Sequence, residues 1–539
     1  MKTIQANLVD IISKTIFPAK LYWQDGRILK IEKLQKEVKK FLIPGFIDAH
    51  IHIESTMLTA QEFGRNAFQH GTVAVVADPH EIANVLGIDG VKFMIENGRK
   101  SPLKFFFGAP SCVPATPFET SGAELGPSEI EELLRMEEIT HLGEMMNYPG
   151  VISEDKTVVK KLALARKYHK PIDGHAPGLL GKNLKIYVQH GITTEHECTT
   201  KDEALEKLED GIKVIIREGS ASKNYNELIP IAREHYQNCM FCCDDLHPQD
   251  LQKRHIDWHV KNAIRSGLDI FQVLQMACLN PVKHYKLDVG LLQVGDPADF
   301  LLVEDFQEIK ILENYIDGKP TLQESETQEP PKINIKNNFQ INEIKEEDFA
   351  VPARNGKLRV IKALDGFVLT ESEIMKPKIE KGLTVADIDR DLLKIAVVNR
   401  YQNTKPVVGF ITGFGLKKGA IASSIAHDSH NIVAVGTDDR SITKAVNLII
   451  RNKGGICAVD KNSAEILSLP IAGIISDKSC QEVAEKHELL EQKAKELGST
   501  LSAPFMTLSF MALLVIPKLK MSDKGLFDGE KFEFVDLWI

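Results

Sequence analysis

Residues 45–55 read Gly45-Phe-Ile-Asp-Ala-His50-Ile-His52-Ile-Glu54-Ser55. A short apolar run enters after Pro44 and leaves in polar groups, which is how a buried strand ends at a site. On an extended backbone, residues two apart point to the same side. His50 and His52 can therefore offer two imidazoles to one metal ion. The competing reading, two solvated or core histidines, fits the apolar strand poorly.

Seven further stretches downstream share this character: 72–77, 104–108, 141–144, 171–173, 192–195, 213–217 and 238–243. Between them lie segments such as 156–169 and 200–210, whose apolar positions recur at helical spacing. Eight strand-then-helix units predict a (β/α)8 barrel over residues 43–288. The rival, an open doubly wound sheet, usually carries a glycine-rich phosphate loop early. No G-x-G-x-x-G follows any of these strands.

The catalytic face of such a barrel is the rim at the carboxyl ends of its strands. Glu144 ends the fourth strand, where its two oxygens could bridge two metals; a buried, lysine-paired or helix-capping glutamate is the alternative. His175 ends the fifth and His196 the sixth. Either histidine alone is as readily structural as functional. Four imidazoles at strand ends are hard to explain by packing alone. Asp244 and Asp245 end the eighth strand before Pro248. They point to opposite sides if still extended, so one faces the centre, and Asp244 is the nearer. A turn signal is the bland reading.

Weaker candidates stand beside these. Asp78, His80 and Glu81 follow the second strand as further ligands, as part of another site, or as a helix cap. Arg217, Glu218 and Ser220 follow the seventh and could hydrogen-bond a polar substrate. Asp428 and His430, in Ala426-His-Asp-Ser-His-Asn431, are ligand-rich but distant in sequence. Cys239-Met-Phe-Cys242 lies inside a predicted strand, and packed core thiols explain it better than a metal site.

Two strand-rich pieces, 1–42 and 289–325, bracket the barrel and predict one small split β-domain. Residues 19–23 and 27–31 flank Gln24-Asp25-Gly26, a hairpin turn signal, and the pattern returns over 290–303. Residues 320–349 turn polar and read as a linker. Beyond them a C-terminal α+β domain is expected over 345–539, with strands at 358–363, 395–398 and 432–435 and helices near 443–451 and 481–497. The fold class is thus α/β: a (β/α)8 barrel inserted in a small β-sandwich domain, plus an α+β domain.

The chain has 539 residues, 43% hydrophobic and 26% charged, with a formal net charge of -9. That is too long for one core and too acidic for a nucleic-acid binder. Eight cysteines without framework spacing suit a reducing compartment. There is no signal-like apolar core near the N-terminus and no apolar run of membrane-spanning length. A soluble, cytoplasmic protein is the expectation.

His50-Ile-His52 after Pro-Gly-Phe-Ile-Asp, the split β-domain and Val294-Gly-Asp-Pro-Ala-Asp-Phe300 resemble the amidohydrolase superfamily. More narrowly, the chain resembles the bacterial adenine deaminase family. The matching stretches are His50–Ser55, Ala77–Gly87, Gly174–Gly178, Asp244–Pro248, Asp428–Asn431 and Pro504–Phe510. The likeness covers almost the whole chain. Many superfamily relatives bridge their metals with a carboxylated lysine on the fourth strand, and Glu144 stands at that place here. The resemblance implies two divalent ions, manganese first, with iron or zinc as alternatives. It also implies a free purine base, adenine, as substrate, and a homodimer or higher homo-oligomer. The implied ligands are His50, His52, Glu144, His175, His196 and Asp244. Asp244 would take the water proton, and Glu54 or Glu218 would protonate the ring. The nearest alternatives are another amidohydrolase acting on a cyclic amide or on a different 6-aminopurine. The cytidine-deaminase type fails, because His52-Ile-Glu54 has no Pro-Cys-x-x-Cys partner. A metal-free scaffold would show broken ligand positions, and none is broken.

Overall fold

The computed structural model describes residues 1–220, 222–322 and 336–539. The polar stretch 323–331, the heart of the expected linker, lies outside them. The chain divides into two compact units. The first holds residues 1–79 and 92–111 and runs on from 126; the second holds 80–91, 112–125 and the C-terminal region.

In the first unit, eight strands carry the barrel. They are β1 (Phe46–His52), β2 (Thr72–Ala77), β3 (Lys104–Ala109), β4 (Ile139–Met145), β5 (Ile172–Gly174), β6 (Thr194–Glu195), β7 (Lys213–Arg217) and β8 (Cys239–Cys242). β1 through β5 pair in parallel in chain order, as do β6, β7 and β8. The Thr193 amide donates to the Ile172 carbonyl at 3.0 Å and joins the two sets. Asp244 and Asp245 then pair with Ile51 and His52, which returns the sheet to β1. All residues of β1, β2 and β8 are buried. Parallel strands covered on both faces read as continuous apolar runs, which is why the sequence displayed them.

The helices between strands are fixed at their starts by side chains. Asp155 accepts from the amides of Thr157 and Val158 ahead of helix Lys156–Lys167. Thr200 does the same for Lys201–Glu209. Each satisfies donors that the first helical turn leaves orphaned. The first of these helices stops short of the expected 169, because His169 turns to φ 54.

The flanking β-pieces form one seven-stranded sheet in the order Lys319–Pro320, Ile311–Ile316, Phe300–Val303, Phe41–Pro44, Lys2–Asp10, Thr15–Gln24, Arg27–Lys33. The predicted hairpin is there, with Gln24 opposite Arg27. The return segment is strand only from Phe300. Before it, the Gly290 and Leu291 amides donate to the Asp299 and Asp296 carboxylates. Those side chains take the hydrogen bonds a ladder would have used. Leu8, Leu21, Trp23, Leu42 and Phe300 form the core of this sheet.

The second unit is built on an eight-stranded sheet, antiparallel except where Leu358–Ala363 meets Val407–Thr412. Helix Asp439–Asn452, capped by Asp438, packs Ile442, Ala445, Val446 and Ile449 onto it. Helix Cys480–Glu496 opens with a Ser479–Glu482 capping box. Both helices were expected within a few residues. Among the described residues, no helix is long and apolar enough to cross a membrane. All eight cysteines are buried and free, and Cys239 and Cys242 lie within β8.

Candidate metal centre

β1 ends with His50 and His52 on one side, as period-two geometry demands. Their Nε2 atoms are 3.2 Å apart. β4 brings Glu144 to them, with its Oε1 3.3 Å from Nε2 of His52. The other oxygen, Oε2, lies 2.8 Å from Nδ1 of His175 and 3.1 Å from Nε2 of His196. Asp244 closes the first set, its Oδ1 at 3.4 Å from His50 and 3.1 Å from His52. One carboxylate thus faces two groups of nitrogen donors with its two oxygens. All six side chains are buried.

The surroundings hold these groups in place. The Asp78 carbonyl takes Nδ1 of His52 at 3.0 Å, leaving Nε2 to face the centre. Oδ2 of Asp78 accepts from the Glu144 amide at 2.9 Å. Tyr187 receives the His175 amide and donates to the Met145 carbonyl, tying the ends of β4 and β5 together. Glu195 accepts from the amides of Ala176 and Glu197. Fully buried Lys207 pairs with Glu195 and donates to the Ala176 carbonyl.

The expected alternation of Asp244 and Asp245 along an extended strand does not hold, since Asp244 sits at φ 56. The outcome is the same: Asp244 faces the histidines, and Asp245 accepts from Ser55 Oγ at 2.5 Å. Arg217, read from sequence as a substrate contact, is instead clamped. It holds Asp244 Oδ2 at 2.5 Å and both oxygens of Glu197. Glu218 is buried with its carboxylate 3.0 Å from Lys223. Ser220 donates to Asp250 and accepts from the His247 amide. Glu54 is buried in the turn after β1. His80, Glu81, Asp428 and His430 belong to the second unit, where they form a cluster of their own.

Sequence reading missed Glu197. Its signal was there, an acid directly after His196 and one strand before Arg217, but only the fold shows the pairing. Glu195 and Lys207 carry no comparable signal.

Electrostatics matches a site short of positive charge. Burial alone would raise the Glu144 carboxyl; His175, His196 and His52 outweigh it and hold it well below the usual carboxylate range. Asp244 is lowered likewise, burial being overcome by Arg217, His50 and His52. In return, Glu144 and Glu197 lift His175 to about 9 against its burial. His52 and His196 are also raised, whereas burial keeps His50 low. Buried Nε2 of His196 makes no hydrogen bond of sound geometry. Imidazole and carboxylate donors this close fit divalent transition metals.

The amidohydrolase family model matches residues 41–342, and the adenine deaminase C-terminal domain model matches 367–533. An adenine deaminase of Sulfurovum sp. (strain NBC37-1) is 54% identical over 540 residues, covering 99% of each chain. The chain belongs to the adenine deaminase family. Members from Salinibacter ruber and Methanosarcina mazei are 51% and 47% identical, each covering all of this chain and 99% and 100% of their own. Family membership therefore extends through both units.

Proposed function

We propose that this chain hydrolyses adenine to hypoxanthine and ammonia, as a step of purine salvage and adenine catabolism. The observation that carries the reading is Glu144, set between two groups of buried imidazoles in a chain that matches adenine deaminases end to end. His50, His52 and Asp244 on one side, and His175 and His196 on the other, would hold two divalent cations, manganese by preference. Cations there would supply the Lewis-acid charge that lowers the pKa of water toward neutrality.

The chain's own groups do the rest. Asp244 accepts the proton of the water that attacks C6 of the purine. Arg217 fixes that carboxylate by holding its second oxygen, and Glu197 in turn anchors Arg217. A carboxyl group protonates the ring nitrogen as the ring takes up electrons; Asp244 hands the water proton to the amino group, which leaves as ammonia, and the C6 hydroxyl gives up its proton to restore the carboxyl as the carbonyl forms. Glu54 and Glu218 are the candidates for that donor. Glu218 already pairs with Lys223, whereas Glu54 follows His52 by two residues in the turn after β1, which makes Glu54 the better placed of the two. Replacing the true donor by Gln is expected to lower kcat roughly 10²–10⁴-fold.

The test is ammonia release from adenine, adenosine and cytosine, with manganese and with chelator. Adenine alone should react, and only with metal. Ammonia from cytosine but not adenine would overturn the substrate. Opening of a cyclic amide is the second reading; a bridging lysine would favour it, and Glu144 speaks against it. The protein is further proposed to act in the cytoplasm as a homodimer or higher homo-oligomer.

A further inference from the structure

The second unit carries a cluster of metal-ligand chemistry that the deamination above does not use. His80 and Glu81 open the helix His80–Leu86. His427, Asp428 and His430 come from a loop more than three hundred residues later. Oε1 of Glu81 is in contact with Nδ1 of His427, and Oε2 with Nε2 of His430. Nε2 of His80 lies 3.4 Å from Oε1 of Glu81 and 3.9 Å from Oδ1 of Asp428. Nδ1 of His427 is 3.8 Å from that same Asp428 oxygen. Every one of these residues is at most 4% exposed.

We infer that His80, Glu81, His427, Asp428 and His430 form a further divalent-cation site, carried entirely by the second unit. Four-coordinate bonds of about 2.0–2.2 Å put neighbouring donors roughly 3.3–3.6 Å apart. The spacings of His80 from Glu81, His80 from Asp428 and His427 from Asp428 are close to that range, while Glu81 lies nearer still to His427 and His430. Three neutral imidazoles with two carboxylates balance one doubly charged ion. The nitrogen-rich set suits zinc, iron or manganese, and neither magnesium nor calcium.

The loop is built to hold this arrangement. The His430 amide returns to the Ala426 carbonyl at 2.7 Å, with His430 at φ 55. Tyr401 donates its hydroxyl to the Ser429 carbonyl at 2.6 Å, and Ser429 donates to Glu119. Asn431 donates to the Thr120 carbonyl and accepts from the Arg400 amide. A solvated surface turn would be neither buried nor tied on three sides.

The experiment is a metal count on the full-length protein loaded with Mn²⁺ or Zn²⁺ and desalted. The native chain is expected to retain about one ion more than the variant His427→Gln/His430→Gln. Glu144→Gln should lose ions and still keep that one, which separates this site from the barrel centre. Equal metal content in the native chain and the double variant would overturn the inference. Should the double variant fail to fold, anomalous scattering from metal-loaded native crystals decides. A peak within bonding distance of His427 and His430 supports the site, and its absence rejects it.

Discussion

Glu144 is the residue on which the barrel centre turns. Its two oxygens serve different histidines, so neither half of the centre is complete without it. Glu144→Ala is expected to lower bound metal severalfold, read by elemental analysis; full metal content and activity would reject the bridging role. Arg217 offers a different test, because it neutralises two buried carboxylates at once. Arg217→Gln leaves Glu197 and Asp244 uncompensated, which should cost about 3–5 kcal/mol in denaturant unfolding. Adding Glu197→Gln should return part of that loss, since one of the stranded charges is then gone. A double variant no more stable than the single would mean that the clamp does not hold the site.

At the scale of strands, the geometry of the rim depends on close approach. Gly143 precedes Glu144 in β4, and a Cβ built there would run into the Asp78 carboxylate. That carboxylate is the one that accepts from the Glu144 amide. Gly143→Ala should therefore displace Glu144 and cut kcat/KM roughly 10²-fold, a loss that extra manganese does not restore. Activity near the native level would show that Asp78 can move freely. The same scale shows what a sequence can display. Long buried strands such as β1 and β2 were legible as apolar runs, and their polar ends marked the rim. β6 has two residues, too few for any periodicity, and the apolar stretch expected at 192–195 starts two residues before it. Pairing between strand ends was not legible, as it depends on register: Glu197 with Arg217, Glu195 with Lys207, Asp78 with the Glu144 amide. The break in β8 at Asp244 was hidden too, since a left-handed aspartate leaves no mark in composition.

Across the whole molecule, the sequence announced a barrel, a split β-domain and a C-terminal region. It did not announce that residues 80–91 and 112–125 join the C-terminal unit. These segments follow β2 and β3, and nothing in their local pattern says which core they will enter. Buried neutral histidines give the fold a shared acid sensitivity. Burial takes His141 and His259 down to about 3 and His284 to about 4. Their ordinary value in an unfolded chain is about 6.5. The unfolded state therefore binds these protons first as pH falls, and stability present above about 6.5 is lost toward pH 3–4. Each such histidine contributes a slope of up to about 1.4 kcal/mol per pH unit. His259 meets Tyr225 edge-on and lies tilted against Phe241, so His259→Phe should fit and flatten the decline. Melting temperatures from pH 7 to 4 check this; an unchanged slope would remove His259 from the account.

A bridge written into the polypeptide also frees the centre from dissolved gas. A lysine carbamate must be made from carbon dioxide after folding and falls apart when acidified, whereas the Glu144 side chain leaves the ribosome finished. Apoprotein reloaded in degassed, bicarbonate-free buffer should regain activity at the same rate as in bicarbonate, limited by ion entry alone.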